Sequence, residues 1–255
     1  MMQLEGKRAF VTGAGGALGR ASSVLFAREG AAVAVVDISR DAAEQTAQII
    51  TDAGGRAIAI EADVRDEAQV ELAVDRAVDG LGGLDTLFNN AGIMPHQDAS
   101  FLEGDLDLWH QISAINLDGT MLCSKYAVPH IVGAGGGAVV NMSSFLAVLG
   151  TTYPQDGYAA SKGAISSLTR SMAVQLGSKG VRVNGLAPGP IMTAHVEQFF
   201  PDPAARALRL ARVPLGRFGK PDDAAGLACF LASDAASWLT GQVIVLDGGI
   251  SSNYI

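Results

Sequence analysis

Two serines, a tyrosine and a lysine stand close together past the middle of the chain. Ser143 and Ser144 end an apolar run, Gly137 to Met142, and Tyr158 stands four residues before Lys162. A helix that begins near Tyr158 puts its phenol and the lysine ammonium on one face, one turn apart. A phenol titrates near pH ~10 when unperturbed, and a cation within a few ångströms lowers that value by favouring phenolate. A hydroxyl, a phenol and an amine in one place move a proton to or from an alcohol or carbonyl oxygen. Strand alternation turns Ser143 away if Ser144 faces the phenol, and the two remain rivals for that place. Tyr153 lies in the same loop, with Gly150, Pro154 and Gly157, but has no lysine four residues on. It reads as a pocket wall or as loop packing.

The elements that must hold these groups alternate along the whole chain. Short β-prone runs are Lys7 to Thr12, Ala31 to Val36, Arg56 to Ala62, Leu84 to Phe88, Gly137 to Met142, Val181 to Leu186 and Gln242 to Leu246. Between them, helical spacing marks Arg20 to Arg28, Asp41 to Ala53, Asp66 to Val78, Asp105 to Ile131, Tyr158 to Leu176 and Pro221 to Ala232. The runs are continuous rather than alternating in polarity, as expected for strands buried on both faces. Strand–helix alternation of this kind predicts an α/β fold, a doubly wound parallel sheet of seven strands with helices on both faces. The rhythm never restarts, so residues 1–255 are expected to form a single domain. An irregular stretch, Ala187 to Leu215, holds five prolines around two short helical segments and has the length of a functional lid.

The first strand runs straight into Gly13-Ala14-Gly15-Gly16-Ala17-Leu18-Gly19. A glycine-rich turn that opens a helix suits a pyrophosphate, because the backbone approaches closely and the helix N-terminus offers free N–H groups. The second strand ends in Asp37, where a carboxylate accepts hydrogen bonds from an adenosine ribose. Asp37 repels a 2′-phosphate, Ile38 beside it offers nothing to hold one, and Arg40 belongs on the solvated start of the next helix. The expected coenzyme is therefore NAD rather than NADP.

Turn, Asp, Ser and Tyr-x-x-x-Lys together resemble the compact single-domain branch of the short-chain dehydrogenase/reductase family, over about Leu4 to Gly249, and imply its Rossmann-type fold. The family's turn is similar to Thr12-Gly13-Ala14-Gly15-Gly16-Ala17-Leu18-Gly19, with Ala17 where a middle glycine is usual. Asp63-Val64 resembles the pair near the adenine, and Asn89-Asn90-Ala91-Gly92 matches a family motif residue for residue. Pro188, Gly189, Ile191 and Thr193 resemble the segment that embraces the nicotinamide. Thr240-Gly241-Gln242 and Asp247-Gly248-Gly249 match the final strand. The resemblance implies coenzyme contacts at Gly13, Gly15, Leu18, Gly19, Asp37, Ile38, Asp63, Val64, Asn90, Ala91, Gly92, Tyr158, Lys162, Pro188, Gly189, Ile191 and Thr193. It further implies that Tyr158 is the general acid/base and that Lys162 lowers its pKa and holds the nicotinamide ribose. Ser144 would hydrogen-bond the substrate oxygen, and Asn116 would bend the long helix and hold a relay water. Ser144 stands one residue further from the tyrosine than is usual in the family, so the loop carries an extra residue.

The implied activity is interconversion of a secondary alcohol and a ketone with NAD(H). A 3-oxoacyl-thioester reductase of fatty-acid synthesis is a second reading, and those enzymes usually take NADPH, against which Asp37 counts. A third is a non-redox protein on the same fold, against which Lys162 and the glycine turn count. Met94, Phe145, Leu146, Tyr153, Met192, Phe199 and Phe200 are the expected pocket walls and suggest a largely apolar substrate. His96 and His195 are candidates to border it, while His110 and His130 belong on helix surfaces. Neither the four histidines nor Cys123 and Cys229 have metal-ligand spacing, so no metal is expected. A net charge of −8 and no long basic run argue against nucleic acid or an anionic membrane as partner. No apolar stretch is long enough to cross a bilayer, and the polar Glu5-Gly6-Lys7-Arg8 follows the first residues at once, so a cytoplasmic protein is expected. The resemblance also implies a homotetramer; the apolar ending from Ile250 to Ile255 fits burial at such an interface and equally fits a disordered tail.

Overall fold

A computed structural model describes residues 2–198 and 202–253 and folds the expected strands into one parallel sheet. The strands are β1 (Arg8–Thr12), β2 (Ala32–Asp37), β3 (Arg56–Glu61), β4 (Thr86–Asn89), β5 (Gly137–Met142), β6 (Val181–Pro188) and β7 (Val243–Leu246). Their order across the sheet is β3-β2-β1-β4-β5-β6-β7. The order in which strands are added reverses between β1 and β4, with all strands still parallel, and there Val11 pairs with Val35 on one side and Phe88 on the other. A crevice therefore opens at the carboxyl ends of these strands, the usual place for a ligand in such sheets.

Period two divides each strand between two cores. Phe10, Ala34, Val36, Leu87, Val139 and Val183 pack under α3 (Glu67–Leu81), α5 (Gly119–Gly133) and α6 (Asp156–Leu176). Ala9, Val11, Val33, Val35, Phe88, Val140 and Leu186 pack under α1 (Ala17–Arg28), α2 (Arg40–Asp52) and α9 (Pro221–Ala232). With both faces covered, a continuous apolar strand is the stable choice.

The elements lie where the sequence puts them, with informative differences at their ends. α3 runs on past Val78 to Leu81 and stops at Gly82, which takes a left-handed conformation at the C-cap. The long helix expected from Asp105 to Ile131 is three pieces: α4 (Leu106–Ser113), a π-turn over Ala114–Asp118, and α5. Past β6, the irregular stretch carries α7 (Ala194–Glu197) and α8 (Pro203–Leu210). Phe199 and Phe200, expected as pocket walls, and Tyr254 and Ile255 of the apolar ending lie outside the described residues. Among the described residues no helix is long and apolar enough to cross a membrane.

Candidate active site

A cavity of about 980 Å³ occupies the crevice at the carboxyl ends of the strands. Its walls are mainly apolar, and the predicted groups arrive there from separate elements. The turn before α1 brings Gly13, Leu18 and Gly19; the ends of β2 and β3 bring Asp37, Ile38, Asp63 and Val64. The segment after β4 brings Asn90, Ala91 and Gly92, and β5 with α6 brings Ser144, Tyr158 and Lys162. Pro188, Gly189, Ile191 and Thr193 close the far side.

The turn is built for close approach to an anion. Gly13 sits at φ +61°, and a Cβ there would stand 2.9 Å from Ala91 Cα. At Gly19 the same atom would collide with the Gly13 carbonyl oxygen, so both positions are closed to a side chain. Helices α2, α3, α4, α7 and α8 start under side-chain caps from Ser39, Asp66, Asp105, Thr193 and Asp202. α1 follows its N-cap, Gly16, with no side-chain cap and no acidic residue in its first turn. Its first N–H groups and positive dipole end thus face the cavity beside Gly16, Ala17 and Leu18, a donor set that fits a pyrophosphate.

Gly15 does something else. It is absent from the cavity wall; its N–H donates to Asp37 Oδ2 at 2.9 Å, and a Cβ there would lie 2.5 Å from Ala42 Cβ. It locks the turn against the start of α2 and aims Asp37, whose Oδ1 accepts from Ser39 N at 3.0 Å. Arg40 is turned away and pairs with Glu44 at 2.7 Å. Across the cavity, Asp63 is gripped by the Arg65 guanidinium, whose hydrogen bonds hold the Asp63 carboxyl below the usual carboxylate range. Asn90 fastens β4 to the turn: its Nδ2 donates to the carbonyls of Thr12 and Gly13, and its N–H donates to Thr12 Oγ1.

The two serines separate as strand alternation requires. Ser143 points into the protein, where its hydroxyl donates to the Lys162 carbonyl at 3.1 Å and meets Ser166 Oγ at 2.7 Å. Ser144 hydrogen-bonds the Tyr158 phenol, and its Oγ also accepts from Leu146 N at 3.2 Å. The phenol keeps an opening to the cavity but lies deep in the fold. Burial raises its pKa above the ordinary tyrosine value, and the hydrogen bond from Ser144 works the other way.

Lys162 stands behind the phenol. Its side chain is 2% exposed, and Nζ donates to the Met142 carbonyl at 2.7 Å, 5.6 Å from the centre of the Tyr158 ring. Burial brings the Lys162 pKa down to about 7, so much of its charge is lost near neutral pH.

Asn116 lies behind the wall rather than in it. At 0% exposure its Oδ1 accepts from Ile93 N at 2.8 Å, and its Nδ2 donates to Ile93 O at 3.1 Å and to Ser161 Oγ at 3.0 Å. The π-turn there agrees with the expected bend, and Thr120 Oγ1 satisfies the Asn116 carbonyl at 2.8 Å.

Of the expected pocket walls, Met94, Phe145, Leu146 and Tyr153 line the cavity. Met192 does not. Its N–H donates to Gly219 O in a short bridge, and alternation turns its neighbours Ile191 and Thr193 inward instead. His195 borders the cavity with Nε2 at 2.9 Å from the Met94 carbonyl; His96 packs edge-on against it, 5.9 Å between ring centres, outside the wall. Among the described residues no cluster of His, Cys, Asp or Glu has the makings of a metal site.

Comparison with known proteins places this fold in a family. A family model described as enoyl-(acyl carrier protein) reductase matches residues 13–251. The chain is 41% identical over 244 residues to the cis-4-hydroxycyclohexanecarboxylate dehydrogenase of Sinomonas cyclohexanicum, covering 96% of each. It is 38% identical to the 3-oxoacyl-[acyl-carrier-protein] reductase of Thermotoga maritima, over 98% of this chain and 99% of that one. A solved 7α-hydroxysteroid dehydrogenase, complexed with NADH and 7-oxo glycochenodeoxycholic acid, matches with a TM-score of 0.92 at 35% identity, over 97% and 95% of the two chains. The chain belongs to the short-chain dehydrogenase/reductase family. It is an oxidoreductase that acts on alcohol groups.

Several groups at this dehydrogenase/reductase site escape sequence reasoning. Asp98 is 8% exposed, and its carboxylate accepts from Gly157 N at 3.1 Å and Tyr158 N at 2.8 Å, so it caps α6 from a loop far away in sequence. Arg65, Gln111, Gln155 and Arg209 also line the cavity. Arg65 alone had a local signal, its position beside Asp63-Val64.

Proposed function

We propose that this protein interconverts a secondary alcohol and a ketone with NAD(H), using Tyr158 as general acid/base. The observation that carries this reading is the convergence of Ser144, Tyr158 and Lys162 on one wall of a cavity that also holds the uncapped start of α1 and Asp37. The bound nicotinamide would supply or accept the hydride. In the reducing direction, the Ser144 and Tyr158 hydroxyls donate to the ketone oxygen and fix it, and Tyr158 then delivers its proton as the alcohol forms. The reverse path takes the alcohol proton onto the phenolate. Lys162, with Nζ free to exchange Met142 O for a sugar hydroxyl, holds the ribose and stores a proton behind Tyr158. Gly92 leaves that amine room, since a Cβ there would stand 3.3 Å from Nζ.

The preference for NAD over NADP is supported by Asp37, a carboxylate on the cavity wall at the end of β2 that would accept from a ribose and repel a 2′-phosphate, and by the pairing of Arg40 with Glu44. The segment from Ala187 to Leu215 serves as the substrate lid, with α7 held to the loop after β4 through His195 and Met94. A homotetramer in the cytoplasm accompanies this reading, in keeping with two buried thiols and exposed apolar residues on the long helix. The Thermotoga relative supports the acyl-thioester reductase as the second reading.

A screen of cyclic and linear secondary alcohols, followed by NADH formation, tests the proposal. Tyr158→Phe is expected to lose about 10²–10⁴-fold in kcat while still binding NADH by fluorescence. Undiminished turnover in that variant would remove Tyr158 from the mechanism, and faster turnover with NADPH on a 3-oxoacyl thioester would put the second reading in its place.

A further inference from the structure

We infer that the substrate carries a second, neutral oxygen group near the carbon that reacts, a hydroxyl in the simplest case, and that the Gln155 amide receives it. Resting on the alcohol/ketone reading, this adds the chemical class of the molecule. Gln155 is 8% exposed, whereas residues 151–154 just before it are all exposed. It lines the cavity together with Met94, Leu146 and Tyr158. Among the described residues its side-chain amide has no hydrogen-bond partner. The unpartnered side-chain atoms sealed in the core of the described residues are Ser23 Oγ and Asn89 Oδ1. The Gln155 amide is not one of them, so it keeps access to open space, and the space beside it is the cavity.

The helix explains why this amide is released. Gln155 is the N-cap of α6, and an N-cap side chain ordinarily accepts from the second or third N–H of its helix. Those donors, Gly157 N and Tyr158 N, are already held by Asp98 at 3.1 and 2.8 Å. With the helix capped from another loop, Gln155 serves no purpose there and faces the cavity one turn before Tyr158. A buried amide without a partner destabilises a fold, because it has given up water and gained no bond in return. A ligand that hydrogen-bonds it removes that cost on binding. The amide offers two N–H donors and a carbonyl acceptor, and a hydroxyl, which both donates and accepts, satisfies either end. A hydrocarbon at this place would leave the cost standing, and an ionised group would add a desolvation that a neutral amide does not offset. The apolar walls then hold the carbon frame. The reacting oxygen is fixed by Ser144 and Tyr158, and the second oxygen by Gln155.

The test compares cyclohexane-1,2-diol with cyclohexanol, which differ by one hydroxyl, in the wild type, Gln155→Leu and Gln155→Asn, all saturated with NAD. The expected result is a wild-type preference for the diol of about tenfold in kcat/KM, the yield of one hydrogen bond to a buried group that otherwise stays unpaired. The preference should appear chiefly in KM and collapse toward unity in Gln155→Leu, with the loss falling on the diol. Gln155→Asn, which keeps the amide on a shorter stem, should recover part of it. The melting temperature of the coenzyme-free protein is a second readout. Gln155→Leu should melt no lower than the wild type, because an unpartnered amide gives way to an apolar group of similar size. A lower melting temperature would show that the amide supports the fold instead, and would overturn the inference. Equal use of diol and cyclohexanol by the wild type would overturn it too, as would a preference that survives in Gln155→Leu. Calorimetric binding of the same pair to the NAD-loaded protein separates this from the broader reading. Gln155-dependent binding of the diol without turnover of either alcohol keeps the hydroxyl site and defeats the redox assignment of this substrate class. Turnover of both alcohols with equal kcat/KM does the opposite, and a wild type that neither binds nor oxidises the diol has no such site.

Discussion

Lys162 shows at the scale of one residue how the site is held under tension. Its folded pKa, about 7, lies below the ordinary 10.5 because burial penalises the ammonium. Between those two values the unfolded chain binds more protons than the folded one, so folding stability rises with pH through that window. Tyr158 has the opposite sign: its pKa is raised, and the stability it contributes fades above the ordinary phenol value. The clean window is therefore from about pH 7 to about pH 9. The coenzyme-free protein should gain in melting temperature over that range relative to Lys162→Met, in which nothing titrates at this position. A constant difference between the two curves would show that Lys162 stays charged in the fold. Residue placements of this kind were legible in the chain where periodicity constrains them, as with Ser144 turned to the phenol and Ser143 turned away from it into the protein. The same rule, unapplied across the bridge at Ile191, left Met192 on the wrong side. The upward shift of Tyr158 was not legible, because it depends on how deeply the phenol is set.

At the scale of the element, the start of α6 decides where Tyr158 sits. No residue of α6 or its N-cap, Gln155, caps the helix by its side chain. Asp98 does so from the loop after β4, and Asp156 returns the connection by accepting from Phe101 N at 2.8 Å. A carboxylate on two N–H groups at a positive helix end is worth a large fraction of domain stability. Asp98→Ala should lower stability by roughly 1–3 kcal/mol, the cost of two buried donors left without an acceptor. It should also cut kcat about tenfold with little change in the KM for NAD, since the phenol moves while the turn before α1 does not. Asp98→Asn, which keeps one acceptor, should fall between. Equal losses in kcat and in NAD affinity would mean that Asp98 only supports the fold. This capping contact joins residues that are distant in sequence, so nothing local announces it. The π-turn at Asn116 is similar: Asn inside a helix suggests a bend, but the partners Ile93 and Ser161 appear only once the chain is folded.

For the whole molecule, a parallel sheet covered on both faces follows from continuous apolar strands alternating with helices, which is why the architecture could be read from the chain, while the strand order appears only in the folded protein. What lies outside one chain is written on the surface instead. The long helix exposes Leu106, Trp109 and Met121, and α6 exposes Val174 at 85%. Large apolar side chains left in water on neighbouring helices are a usual mark of a surface that another protein covers, and copies of one chain associate by symmetric use of one patch. In the proposed homotetramer these residues would be buried at helix-to-helix contacts between copies. Light scattering at micromolar concentration should then give four times the 26.2 kDa chain mass. A Leu106→Glu/Met121→Glu variant should fall to a smaller species, because four or more carboxylates would have to be desolvated at contacts built from apolar groups. Coenzyme binding should survive in that variant, since the turn before α1, Asp37 and the ends of β2 and β3 lie on other elements. A wild type that runs as a monomer would end the tetramer proposal, and a variant that stays tetrameric would move the interface off the long helix.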